Sequence, residues 1–488
     1  MEREATSLQM VKKQISKDLV HNSAMSPTRQ STSVRAALAA LTLALVTGCV
    51  SVSPPPPTAP PTNAPSQAPT TSAPRTLEPT LAPTPSSPSD SAAPTTSPDG
   101  SEGPATPGAT IDPALAEQID AVNAQVPPIR QLEALEDVPY TFLSREEFQA
   151  NLLETAFEDV PEDWRRAEER FLKRMGLIAD DADLEQLILD LYGEAVAAYY
   201  DPETGSFYII QRDEPFGPSD KVTTAHEYTH ALQDQHFDLE ANRIKDLPEG
   251  DAILGQLAAI EGDATLTSQQ WLLQHLSTEE QGILLQEALE DLGNNPFEGM
   301  PILLRRQLEF PYAEGFVFVD EVFRLGGFEA VNQAIQTPPA STEQVLHPQK
   351  YFDQELPIDV TLDDLSGALG DGWTIVYEQE MGELNTQVFA GGGEQPVVNI
   401  PGLPVQWPHA EVAAGWGGDR LNMYENGDQW LVDWQTTWDT EADATEFASR
   451  TSELISTIDG ETRVSSEGTS VRLVVASDAE LFLALPSG

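Results

Sequence analysis

Cysteine and basic residues are scarce in this chain of 488 residues. Its one cysteine, Cys49, excludes an intrachain disulfide. Lysine and arginine number 26 against 79 aspartates and glutamates, so the formal net charge is −53. The general field of so acidic a chain excludes attraction of nucleic acid or of an anionic membrane surface. The sequence also contains neither a G-x-S-x-G nucleophile elbow nor a P-loop, so nothing in it points to serine hydrolases of that type or to P-loop NTPases.

The single cysteine ends a short apolar run. Residues 35–49 read RAALAALTLALVTGC, with a basic residue followed by about a dozen small apolar ones. The run is too short for a stable membrane-spanning helix and has the length of a secretory signal core. Its ending resembles the lipobox of bacterial lipoproteins, which implies cleavage before Cys49 and a lipid on its sulfur. We therefore expect a lipoprotein signal peptide at 1–48, with Met25 as an alternative start, and an extracytoplasmic protein anchored to the bacterial cell membrane.

Proline, threonine, serine and alanine fill most of the next sixty residues. A segment of this composition cannot bury enough apolar surface to offset the entropy of ordering, and its prolines keep it extended. We predict a disordered linker over residues 49–110. Behind a lipid anchor, it would hold a folded part away from the membrane.

Periodic patterns typical of folded structure follow the linker. Helical spacing dominates residues 111–356, with short strand-like segments such as SFYII at 206–210. From residue 357 onward, alternating patterns predict several strands and one helix. The predicted fold class is therefore α+β: a mainly helical domain with a small edge sheet at 111–356, then a smaller α+β domain of unknown role at 357–488. The alternative is that the second part packs onto the first and completes it. We assign its six tryptophans to a core, with a carbohydrate-binding surface as the alternative.

A cluster of histidines stands out in the stretch TTAHEYTHALQDQH. It holds three of the seven histidines of the chain, and two of them, His226 and His230, are four residues apart. On a helix these two imidazoles share one face and can bind one metal ion, while Glu227 is turned aside by about 100° and reaches a metal-bound water. The alternative is an amphipathic helix with incidental histidines. Two unpaired imidazoles on a partly apolar face would be costly, so we predict a zinc site.

Two residues compete to be the third zinc ligand. His236 has the spacing of the metzincin pattern, but Gln233 stands where that pattern needs a helix-breaking glycine. On an uninterrupted helix His236 would lie about 15 Å from His226 along the axis. Glu261 lies on the apolar stripe of the next predicted helix, where a buried carboxylate needs a partner. The pattern favours Glu261, with His236 as the alternative ligand and an ordinary Glu–Arg pair as the alternative role of Glu261.

The pattern HEYTH followed about thirty residues later by EGDA resembles the gluzincin class of zinc metallopeptidases. More narrowly, AYYDPETGSFYI, HEYTHALQDQHFDL and AIEGDATL together resemble a group of bacterial lipoprotein metallopeptidases, over roughly Tyr140 to Tyr351. The resemblance implies His226, His230 and Glu261 as zinc ligands and Glu227 as the catalytic base.

The chain departs from the gluzincin form E-x-x-x-D, because Thr265 stands where the aspartate would be. Asp263 is the only acidic residue nearby, so the sequence alone does not decide which group orients a ligand histidine. Tyr312 and His347 are candidate donors to the oxyanion of the reaction, and spacing alone does not choose between them. By analogy with this class of enzyme, the SFYII strand is expected to bind an extended peptide by strand addition.

These observations predict a membrane-anchored zinc peptidase whose partner is a peptide or protein. Zinc would activate a water, and a glutamate base would take its proton as the water attacks the peptide carbonyl. Two alternatives remain open from sequence. One is a non-catalytic surface protein with a structural metal, and the other is a zinc hydrolase of a non-peptide amide in the cell wall.

Overall fold

The computed structural model describes residues 112–155, 160–211, 215–239, 250–294, 299–396 and 407–485. The predicted signal peptide, the lipidation site Cys49 and the proline-rich linker lie outside these residues. Within the described ranges, no helix is both long enough and apolar enough to cross a membrane.

Most of the described residues between 112 and 352 are helical, as the 3.6-residue periodicity predicts. The helices of this part are α1 (Pro113–Arg130), α2 (Arg145–Thr155), α3 (Glu162–Arg174), α4 (Leu184–Ala195), α5 (Pro218–Phe237), α6 (Asp251–His275), α7 (Thr278–Asn294), α8 (Ile302–Gln336), α9 (Thr342–Leu346) and α10 (Pro348–Phe352). Helix α8 is kinked at Gly326 and Gly327, whose backbone angles are not helical. Helix α6 is the central element, since it packs against α1, α5, α8 and α9.

Two glycines allow α6 and α8 to pack backbone against backbone. A Cβ atom added to Gly262 of α6 would lie 2.2 Å from the carbonyl oxygen of Gly315 in α8. A Cβ atom added to Gly315 would lie 2.5 Å from the carbonyl oxygen of Ala258. Only glycine permits so close an approach at both positions. The sequence analysis did not foresee this contact.

A small sheet lies beside α5. Its strands are β1 (Tyr140–Leu143), β2 (Ala198–Asp201) and β3 (Ser206–Ile210), in the order β1-β3-β2. Strand β3 pairs in parallel with β1 and antiparallel with β2, so both of its edges are used. The expectation that the SFYII strand adds a peptide at its edge is therefore wrong for β3, and the strand that borders α5 is mainly β2.

The C-terminal part contains a five-stranded antiparallel sheet in the order β4-β5-β6-β8-β7. Its strands are β4 (Thr374–Gln379), β5 (Trp416–Asn426), β6 (Gln429–Trp438), β7 (Glu461–Glu467) and β8 (Ser470–Ala476). The helices of this part are α11 (Ser366–Leu369), α12 (Gly382–Gly391), α13 (Ala410–Ala413) and α14 (Glu441–Leu454), with 3-10 turns at Ile455–Thr457 and Ala479–Ala484. Five of the six tryptophans are buried and Trp407 is half-buried, as expected for a core. The described chain is thus a mixed α+β structure.

The hydrophobic core of the C-terminal sheet includes residues from the first part of the chain. Phe171 and Leu172 of α3 and Leu184 of α4 belong to the same buried cluster as Trp434 of β6. Arg170 adds a two-pronged ion pair to Glu425 at the end of β5. The described residues belong to one compact unit. This arrangement corresponds to the alternative in which the part after residue 357 packs onto the helical part before it and completes it.

Candidate metal centre

Helix α5 carries the two histidines of the HEYTH motif on one face. The helix begins after Gly217, whose backbone N–H donates to the Asp220 carboxylate at 2.8 Å, and it runs unbroken to Phe237. The Nε2 atoms of His226 and His230 lie 3.1 Å apart. Spacing of four residues on a continuous helix thus converges two imidazole nitrogens on one point.

Helix α6 supplies a third ligand atom to this point. Oε2 of Glu261 lies 3.0 Å from Nε2 of His226 and 3.2 Å from Nε2 of His230. Zinc held at about 2.0–2.1 Å by each atom of a tetrahedral site sets neighbouring ligand atoms about 3.3 Å apart. The three atoms therefore fit a zinc ion, and two imidazoles with one carboxylate are a donor set used by catalytic zinc.

Burial and mutual contact shift the pKa values of this cluster. Burial lowers the pKa of the His230 imidazole, but its contacts with Glu261, Glu227 and Gln233 together raise it by more, to about 9. Burial alone would raise the pKa of Glu261, and the two histidines instead bring it well below its usual range. The metal-free cluster is therefore an ion pair that holds one or more protons, and a metal ion would replace them.

Glu227 points to the side of the cluster, towards the small sheet. Its Oε2 accepts a hydrogen bond from the backbone N–H of Tyr200 in β2 at 2.9 Å. The Tyr200 hydroxyl also binds α5, because it donates to Asp234 at 2.9 Å. Burial is the largest cause of the raised pKa of the Glu227 carboxyl. We call His226, His230 and Glu261 the metal cluster, meaning the residues that could bind one metal ion. A carboxylate with a raised pKa beside these residues suits a general base.

The three other candidates from the sequence lie in different surroundings. The ring of Tyr312 in α8 stacks on the ring of His226, with centroids 5.9 Å apart. His347 instead pairs with the buried carboxylate of Glu383 at 3.0 Å. His236 binds the backbone oxygen of Glu133 at 2.7 Å. The structure thus brings Tyr312 to the metal cluster, while the contacts it gives His236 and His347 lie elsewhere.

Gln233 has a role that the sequence analysis missed. We treated it only as the residue that replaces the glycine of another pattern, yet its Oε1 lies 2.8 Å from Nδ1 of His230. Asp263 does not contact a ligand histidine in any described hydrogen bond, but its carboxylate accepts from the Gln233 amide at 2.7 Å. The signal available in the sequence was the position of Gln233, one turn after His230 on the same face of α5.

A second group of three acidic residues has another explanation. Glu343, Glu355 and Asp439 place one carboxylate oxygen each within 4.8 Å of one another. The ammonium group of Lys350 lies between them, at 2.7, 2.6 and 2.7 Å respectively. A lysine therefore already neutralises this group, and we do not consider it a metal site.

Comparison with known protein families gives a match in the C-terminal part of the chain. Residues 374–482 match DUF8575, a domain family of unknown function. No curated protein and no solved structure matches the chain. The matched residues cover the five-stranded sheet and lie outside the metal cluster, so the match carries no information about the chemistry of the cluster.

Proposed function

We propose that the chain is a zinc-dependent peptidase of the gluzincin type. The observation that carries the proposal is the triangle of His226, His230 and Glu261 ligand atoms, 3.0–3.2 Å apart, with Glu227 next to it. The triangle uses three protein ligands, the number typical of catalytic zinc, which keeps a fourth position for water. A structural site would use four protein ligands, and in the described part of the chain no fourth histidine, cysteine or acidic group joins these three.

The residues have distinct roles in this proposal. Bound zinc would supply a Lewis acid that brings the pKa of a water towards neutrality. Glu227 would act as the base that takes a proton from the attacking water and would then pass this proton to the leaving amine. The Tyr200 amide holds the Glu227 carboxylate in place throughout. Tyr312, stacked on His226, is the candidate donor to the oxyanion.

The proposal includes the location of the enzyme. A lipid on Cys49 and the proline-rich linker would hold the catalytic part outside the cytoplasmic membrane, facing peptide or protein substrates. Radiolabelled fatty acid should be incorporated into the full chain and not into a Cys49→Ala variant. Incorporation into both forms would exclude this anchor.

The central test is the substitution of Glu227 by glutamine. The Glu227→Gln variant should bind zinc as the wild type does and should lose hydrolysis by a factor of about 10²–10⁴. Zinc content is measured together with cleavage of a fluorogenic peptide library, and cell-wall amides are included in the screen. Glu279→Gln, an exposed substitution of the same type on α7, is the control and should behave as the wild type.

Three results would contradict the proposal in different ways. Full activity of zinc-loaded Glu227→Gln would exclude the base mechanism. Cleavage of wall amides without cleavage of peptides would favour the alternative hydrolase. Zinc binding with no hydrolysis of either class would favour a surface protein with a structural metal.

A further inference from the structure

Behind the metal cluster, three buried side chains form a continuous chain of hydrogen bonds. We infer that Gln233 is a positioning residue whose amide fixes the ring of His230, and that Asp263 and Arg130 in turn fix the amide. The inference rests on the proposed zinc site. It adds Arg130, at the end of helix α1, to the residues that hold this site in place. Gln233, Asp263 and Arg130 are all 0% exposed.

The orientation of the Gln233 amide follows from its other contacts. Its Nε2 donates to the backbone oxygen of Ile260 at 3.0 Å and to the Asp263 carboxylate at 2.7 Å. Neither of these groups can donate a hydrogen bond, so the amide nitrogen must face them and the amide oxygen must face His230. A flipped amide would place its oxygen against two acceptors.

This orientation selects one tautomer of His230. Because Oε1 of Gln233 is an acceptor, Nδ1 of His230 must carry a proton at their 2.8 Å contact. In the neutral imidazole the lone pair is then on Nε2, the atom that faces His226 and Glu261. The hydrogen bond of one ring nitrogen thus decides which nitrogen is available to a metal.

Arg130 and Asp263 carry opposite charges, so the net charge of this network is near zero. Nε of Arg130 donates to Asp263 at 2.8 Å, and another guanidinium nitrogen donates to Asn332 of α8 at 2.6 Å. The guanidinium also lies over the ring of Phe328, 4.7 Å from its centroid. Removal of either charged partner would leave a buried unpaired charge. The network therefore ties α1, α5, α6 and α8 together directly behind the ligand His230.

The first experiment measures zinc affinity by chelator competition. Gln233→Met, which keeps the length of the side chain and removes its hydrogen bonds, should weaken zinc binding by about 10–100-fold. The control is Gln235→Met on the same helix, because Gln235 is half-buried and makes three hydrogen bonds, all to the segment after α1. The control should keep the wild-type affinity. An equal effect of the two substitutions would overturn the inference.

The second experiment transposes the amide and the carboxylate. Gln233→Glu alone places a second buried carboxylate against that of Asp263. Asp263→Asn alone leaves Arg130 without its ion pair. In the double variant, the carboxylate introduced at position 233 can accept from His230 and from the amide introduced at position 263. The net charge is unchanged, and only the Ile260 oxygen loses its donor. The double variant should bind zinc at least about tenfold more tightly than either single variant. Losses of zinc affinity that simply add in the double variant would contradict the inference that Asp263 fixes the amide at position 233.

The wild-type protein provides a third readout that requires no substitution. In zinc-loaded protein with ¹⁵N-labelled histidine, the proton of His230 should be found on Nδ1. A proton on Nε2 would overturn the inference even if every variant failed to fold. Absence of zinc binding by the wild type would instead contradict the proposed function, so the two failures are distinguishable.

Discussion

Replacing Gly262 by alanine should separate helices α6 and α8 and weaken both the fold and the metal site. The added Cβ atom would lie 2.2 Å from the carbonyl oxygen of Gly315 and 2.8 Å from Cγ2 of Val319. The first distance is about 1 Å shorter than ordinary van der Waals contact. The Val319 side chain is buried and β-branched, so it cannot readily turn aside, and neither can the backbone oxygen; the helices themselves must therefore move. Overpacking of this kind costs about 1–3 kcal/mol of the free energy of unfolding.

The same movement should reach the proposed zinc ligands. Glu261 precedes Gly262 on α6, and Tyr312 lies one turn before Gly315 on α8. A shift near 1 Å would carry Glu261 out of the triangle with the two histidines, so zinc affinity should fall as stability falls. Urea unfolding of the metal-free protein measures the first effect, and chelator competition measures the second.

Gly282→Ala is the matched control for this substitution. Gly282 lies inside α7, and a Cβ atom added there would meet no atom within 4 Å. Alanine is favoured over glycine in a helix, so this variant should gain about 0.5–1 kcal/mol and keep its zinc affinity. Wild-type stability of Gly262→Ala would refute the claim that the two backbones touch. Lower stability with unchanged zinc affinity would refute the coupling between the helix contact and the site.

Three further predictions concern the site itself. Glu261→Ala should lower zinc affinity by more than about 100-fold, because loss of a ligand should exceed the effect of about 10–100-fold expected for a residue that only orients a ligand. His236→Ala should leave zinc affinity unchanged. Loss of affinity only in His236→Ala would favour the metzincin arrangement instead. Tyr312→Phe should keep zinc and lower kcat by about 10²–10³-fold if its hydroxyl stabilises the oxyanion, and an unchanged kcat would exclude that role. Because the pKa of His230 is raised to about 9, zinc must displace a proton at neutral pH, and apparent affinity should fall by up to about tenfold per unit as pH decreases below 9. Calorimetry in two buffers of different ionisation enthalpy measures the released proton, and identical heats would contradict this prediction.

Periodicity predicted much of the secondary structure. The helical spacing expected within residues 111–356 corresponds to helices such as α5 and α6, and the alternating pattern after residue 357 corresponds to the strands of the C-terminal sheet. These patterns are local, because an amphipathic helix or strand must turn its apolar side towards whatever core forms. The pairing of SFYII was not predictable in the same way. Whether a strand is central or at an edge depends on its neighbours, here β1 and β2, and the sequence of β3 does not contain that information.

The metal cluster shows the same division between local and tertiary information. The sequence by itself determined that His226 and His230 share a face and that Glu227 is turned aside, since 3.6 residues per turn fixes these directions wherever the helix lies. It also indicated Glu261, because a carboxylate in an apolar stripe needs a buried partner.

Only the tertiary structure decided what surrounds these residues. Helices α6 and α8 approach closely at Gly262, and the Tyr312 ring of α8 stacks on the ring of His226. The network from Gln233 to Arg130 joins side chains that lie 103 residues apart in the sequence, and no local pattern encodes such a contact. Ligand candidates therefore follow from helix geometry along a single element, whereas the groups that hold and orient them depend on how separate helices pack.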